Sequence, residues 1–86
     1  MSDLNKNVPT ATVYDVFADT ASDLSAHYIC LHRSATDEQE RERLWRKVME
    51  LRDAKLAVPA YDRSLLITHI HTWRAELEAL KASEHD

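Results

Sequence analysis

The stretch Leu66-Ile67-Thr68-His69-Ile70-His71-Thr72-Trp73-Arg74-Ala75-Glu76-Leu77-Glu78-Ala79-Leu80 decides the fold. Within it Leu66, Ile70, Trp73, Leu77 and Leu80 recur at steps of 4, 3, 4 and 3, and on an α-helix of about 3.6 residues per turn that spacing draws one apolar stripe. A single stripe needs partners. Two further segments of similar length and period supply them, so the sequence predicts an all-α chain: a three-helix antiparallel bundle, up-down-up, around a shared apolar axis.

Toward the N-terminus from that stripe, Asp62 is a good cap for a third helix over residues 62–82. Pro59 disfavours helical geometry at Val58 and ends the element before it. That second helix, expected over 36–58, begins with the capping-box spacing of Thr36 and Gln39, with Asp37 and Glu38 in its first turn. Leu44, Val48 and Leu51 form one apolar line; Trp45, Met49 and Leu56 form a second beside it, the wide arc of a helix that touches two neighbours. A first helix over 12–32 starts at Thr12 and Asp15, again spaced as a capping box. It carries the stripe Val13, Phe17, Ala21, Leu24, Tyr28, Leu31, with Val16 widening it. Residues 1–9 read as a flexible tail, 10–86 as a single domain, and Ser83 to Asp86 as a frayed end.

Composition narrows the function classes. The chain of 86 residues has no Gly and only two Pro, so the residues that build hairpins and phosphate-cradling loops are missing, which excludes Walker-type and Rossmann nucleotide sites. No cofactor motif is present. The one Cys, Cys30, forms no internal disulfide and reads as a buried structural thiol. No apolar run approaches the ~18 residues of a membrane span and the polar start has no signal-peptide core, so the expected location is cytoplasmic. A net charge of −4 argues against general phosphate-backbone binding and favours basic partners.

The five His invite a metal site, but His69 and His71 stand two apart, which points them about 200° away from each other on a helix. Solvent-facing or helix-flanking histidines are expected, with His32 favoured near the negative end of the first helix. Along the second helix acids and bases balance, and Glu42–Arg46 and Glu38–Arg41 have the spacing of ordinary supporting pairs.

The first helix differs. Between Thr10 and His32 it holds Asp15, Asp19 and Asp23 and no Lys or Arg. Asp is a poor helix former, and like charges four apart cost about 0.2–0.5 kcal/mol per pair, so stability gives no reason for this ridge. A basic partner surface gives one; solubility, or pairing with Arg residues of the second helix, is the plain alternative. Trp73 lies inside its stripe and reads as a core anchor, whereas Trp45 with Met49 at the arc's edge resembles a protein-binding patch or a homodimer seam.

The expectation is therefore a small acidic, non-catalytic interaction or regulatory module of antitoxin, phage or plasmid type. It docks a basic protein surface through Asp15, Asp19, Asp23, Trp45 and Met49, with homodimerisation as an option. Two alternatives stand beside it. A nucleic-acid binder would use Pro59 to Asp62 as the turn before a reading helix, and a small helical enzyme would need Arg52 and Arg74 to converge on a buried pocket for a dianionic substrate.

Overall fold

The computed structural model describes residues 7–84, and these form three α-helices and no strand: α1 (Thr10–Ser34), α2 (Glu38–Ala57) and α3 (Arg63–Glu84). The links between them are short, so neighbours run antiparallel in the expected up-down-up order. Most of the tail expected over residues 1–9, and the last two residues of the expected frayed end, lie outside the described residues; Ser83 and Glu84 belong to α3.

Each start and stop has a local cause, and two differ from expectation. Helix α1 begins two residues before the Thr12–Asp15 box, because Pro9 is already extended (φ −60°, ψ 148°) and its carbonyl accepts from Thr12 N at 3.0 Å and Val13 N at 3.1 Å. No side chain caps that end. The start of α2 shifts by one residue: Asp37, not Thr36, is the cap, and its carboxylate accepts from the backbone N–H of Glu40 at 2.9 Å. The run Thr36-Asp37-Glu38-Gln39-Glu40 contains two overlapping boxes, and an ionised carboxylate is the stronger acceptor for a helix N–H. Asp62 does cap α3, accepting from Leu65 N at 3.2 Å. Val58, ahead of Pro59, turns extended and ends α2.

The organising helix is α1 rather than α3. It packs against both others, whereas among the described residues no Cα of α2 comes within 8 Å of α3. Val13, Phe17, Ala21, Leu24 and Tyr28 of α1 are buried, met by Leu44, Val48 and Leu51 from α2 and by Leu66, Ile70 and Trp73 from α3. Leu77 and Leu80 complete the α3 stripe as half-buried residues against that core. Fully burying side chains of this kind stabilises a fold by about 1.5–3 kcal/mol each. Phe17 is the hinge of the packing, its ring 5.2 Å from Trp73 and 6.0 Å edge-on from His69. Thr20, the one buried polar residue among those described, is satisfied by donating to Val16 O at 2.7 Å.

The three helices form the expected bundle, and the Cα trace extends 45 × 28 × 14 Å, so it is flattened rather than round. That shape corrects the reading of α2 as a helix with two close neighbours. Its first apolar line is buried against α1, but its second faces outward, with Trp45 48% and Leu56 77% exposed.

Candidate functional site

Because α2 and α3 flank α1 without touching along their backbones, a groove of about 210 Å³ opens between them, lined by Lys47, Glu50, Leu51, Ala54, His69, Trp73 and Glu76. Tyr28 of α1 donates its hydroxyl to Glu76, and Lys47 Nζ lies 3.9 Å from the same carboxylate oxygen. Burial, then the Glu76 hydrogen bond and charge, push the Tyr28 phenol above the ordinary tyrosine value, with Arg43 opposing. The His69 ring stacks on Trp73 at 4.8 Å. Glu76 is thus met from two sides, by a hydroxyl of α1 and an ammonium of α2. Nothing in the periodicity announces this, since Tyr28 and Glu76 are 48 residues apart and each reads as an unremarkable position in its own helix.

The acidic ridge is where the sequence places it. Asp15, Asp19 and Asp23 are all exposed on α1, and among the described residues none makes an ion pair or a side-chain hydrogen bond. The expected alternative, pairing with Arg residues of the second helix, does not occur: Asp19 and Asp23 border a shallow cleft toward α3 that also contains Arg74 and Glu78.

Trp45 and Met49 lie elsewhere, on the outward stripe of α2. Trp45 rests against the His32 ring of α1 at 5.6 Å and Met49 is half-buried. Residues two apart on a helix point about 200° away from each other, so Leu56 looks away from Ala54 and the α3 groove. Beside this stripe a cleft of about 280 Å³ separates α1 from α2, with Ser22, Ser25 and Ala26 on one wall and Arg52 and Lys55 on the other. Within one copy, then, Asp19 and Asp23 border the cleft toward α3, and Trp45 borders another, beside His32 and Arg41.

The charged side chains of α2 differ from the sequence reading. Arg41 does not pair with Glu38; its Nη1 donates to the carbonyls of His32 at 3.0 Å and Ala35 at 3.2 Å, satisfying the end of α1. Glu42 and Arg46 form no pair. Glu40 instead binds Arg43 through two bonds at 3.0 and 2.7 Å, which hold its carboxyl below the usual carboxylate range. A bonding preference of this kind follows from guanidinium geometry, which suits carbonyl clusters and bidentate carboxylates.

The remaining candidates separate. Cys30 is exposed, not buried, because it lies off the stripe that α1 turns to its neighbours. His27 is half-buried and meets Glu84 at 2.5 Å, His69 is half-buried in its aromatic stack, and His71 is exposed. Among the described residues no group of three or more His, Cys, Asp or Glu is placed to hold a metal ion. Arg52 and Arg74 border different clefts and do not converge. Thr68, His71, Thr72, Ala75 and Glu78 of α3 are exposed, and the exposed bases of that helix are Arg74 and Lys81, a thin set for reading base edges. Among the described residues no helix is long and apolar enough to cross a membrane.

Comparison with protein-family models, with curated proteins and with solved structures finds no match for this chain.

Proposed function

We propose that the chain is a small non-catalytic interaction module that docks a protein with a basic surface. The observation that supports this reading is the outward stripe of α2, where Trp45 and Leu56 stay 48% and 77% exposed with Met49 between them. An exposed Trp contributes little to the fold, whereas aromatic and Met side chains are enriched at the buried centres of protein interfaces. The carboxylates of Asp15, Asp19 and Asp23, unpaired among the described residues, set the sign of the partner, steering Lys and Arg toward the exposed ridge of α1. Stoichiometric docking of this kind is how antitoxin-, phage- or plasmid-type regulators act.

Affinity capture from the source cell's lysate tests it, using wild type, Trp45→Ser and the triple variant Asp15→Lys/Asp19→Lys/Asp23→Lys as baits. The expected result is a partner recovered in stoichiometric amount by wild type, lost from both variants, and released as salt rises from about 0.1 M to about 1 M, where the screening length drops to about 3 Å. An untagged copy of the chain itself counts as a partner. Equal recovery by all three baits would overturn the reading.

A further inference from the structure

We infer that the cleft between α1 and α2 is a binding site for a small amphipathic carboxylate, a molecule with one anionic head and a short apolar tail. The inference uses neither the acidic ridge nor Trp45, so it stands or falls separately from the docking reading above.

The cation comes first. Leu44, Val48, Leu51, Lys55 and Val58 follow one another at steps of 4, 3, 4 and 3, so Lys55 occupies a position of the stripe that α2 turns toward α1. The four apolar members are buried and Lys55 is half-buried. Among the described residues it has no ion pair and no side-chain hydrogen bond. Its neighbours three and four positions away are Leu51, Arg52, Val58 and Pro59, so no acid meets it along the helix, and Arg52 is a like charge at a spacing where like charges oppose the helix. The chain has 15 acidic side chains against 11 Lys and Arg, yet among the described residues none pairs with this ammonium. Core packing favours an apolar residue here and helix stability favours an acid nearby; an incoming anion accounts for both departures. A lysine that only extends its stem over apolar surface to reach water needs no space in front of it.

Space is what α1 leaves. Ala21, Ser22, Ser25 and Ala26 are all small, and the cleft of about 280 Å³ that they border is also lined by the apolar side chains of Ile29 and Leu51. Its volume is close to the lower end of the roughly 300–1,000 Å³ of small-molecule sites, and an apolar lining with a few polar groups is their usual composition. The hydroxyl of Thr20 bonds back to Val16 O, whereas those of Ser22 and Ser25 have no hydrogen-bond partner among the described residues. Two free hydroxyls and two cations, Arg52 and Lys55, therefore border one apolar cleft.

Charge and length select the ligand. Arg52 already lies 3.3 Å from Asp53, which leaves Lys55 as the uncompensated charge, so a monoanion matches the site better than a dianion. A carboxylate can accept from the ammonium and from the hydroxyls at once. On α1 the cleft runs from Ala21 to Ile29, about 12 Å at the helical rise. That length holds a medium-chain acid and is too short for a docked helix of several turns.

The test is titration of the ¹⁵N-labelled full chain with sodium octanoate from about 0.1 to about 20 mM, the weak range of so small a ligand, followed by amide chemical shifts. Octan-1-ol supplies the same tail without the charge, acetate the charge without the tail, and octylammonium the opposite sign. Octanoate is expected to give saturable shifts centred on residues 21–29 and 51–55, octan-1-ol to bind at least ~10-fold more weakly, and acetate and octylammonium to give none there. Lys55→Met keeps an unbranched stem without its charge and is expected to lose at least ~10-fold in affinity for octanoate, while Lys55→Arg retains it. Ser25→Leu, which fills the cleft, is expected to abolish binding. Circular dichroism checks that each variant is folded; should Ser25→Leu not be, the two Lys55 variants decide. The inference is overturned by the absence of saturable octanoate shifts at the cleft, by equal binding of any of the three control compounds, or by a folded Lys55→Met that binds octanoate as wild type does.

Discussion

The hydroxyl of Tyr28 on α1 donates to the carboxylate of Glu76 on α3, and that carboxylate also faces Lys47 of α2 at 3.9 Å. One acidic side chain therefore joins three helices at a level where two of them have no close backbone approach. Replacing Tyr28 by Phe keeps the ring and removes the donor. Glu76 is half-buried and can recover water, so the expected loss is about 0.5–1.5 kcal/mol, read by urea denaturation.

The same pair sets an alkaline limit. The folded state holds the Tyr28 phenol above its ordinary value of about 10, so above that pH the unfolded chain loses a proton that the folded chain keeps. The stabilisation is present in full below pH ~10 and is lost as pH rises through the higher folded value. Denaturation midpoints of wild type are expected to fall from pH ~10 upward more steeply than those of Tyr28→Phe; parallel curves would refute the coupling.

Capping separates two adjacent residues. Asp37→Ala removes the acceptor of the Glu40 N–H and is expected to cost about 1 kcal/mol, with Thr36→Ala changing stability by under ~0.5 kcal/mol. The reverse order in thermal melts would restore the Thr36–Gln39 box.

Core and surface apolar residues should part widely. Phe17 is fully buried against the rings of Tyr14, His69 and Trp73, and Phe17→Ala is expected to cost about 3–5 kcal/mol, enough to unfold much of a domain this small. Leu56→Ala is expected to stay within ~0.5 kcal/mol in dilute solution.

Cys30 is exposed, and a thiol reagent such as Ellman's is expected to react with it completely at neutral pH without denaturant. Protection until urea is added would return it to the buried class.

Periodicity carried most of the fold. Most of the α1 and α3 stripes and the Leu44–Val48–Leu51 line of α2 are buried in the core, Trp73 included, with Leu31, Leu77 and Leu80 half-buried against it, because burial of one helical face is a local pattern repeated every three or four residues. What periodicity does not carry is which helix lies in the middle. Trp45 and Leu56 share the apolar character of Val48 and Leu51, and only the placement of α1 decides that the first pair meets water. The candidate site was legible in part. Asp15, Asp19 and Asp23 were visible as charges without compensation, and they remain unpaired among the described residues. The Tyr28–Glu76–Lys47 link and the hold of Arg41 on the end of α1 join distant or differently oriented groups, and no spacing rule signals them.

The central position of α1 also orders how the molecule comes apart. Either flanking helix can lift away while α1 keeps a packed face against the other, so α2 and α3 form separate units of partial opening and α1 belongs to both. Amide hydrogens in the middle of α1 are therefore the slowest to exchange with solvent, since only global unfolding uncovers them, while those of α2 and α3 exchange through smaller, independent excursions.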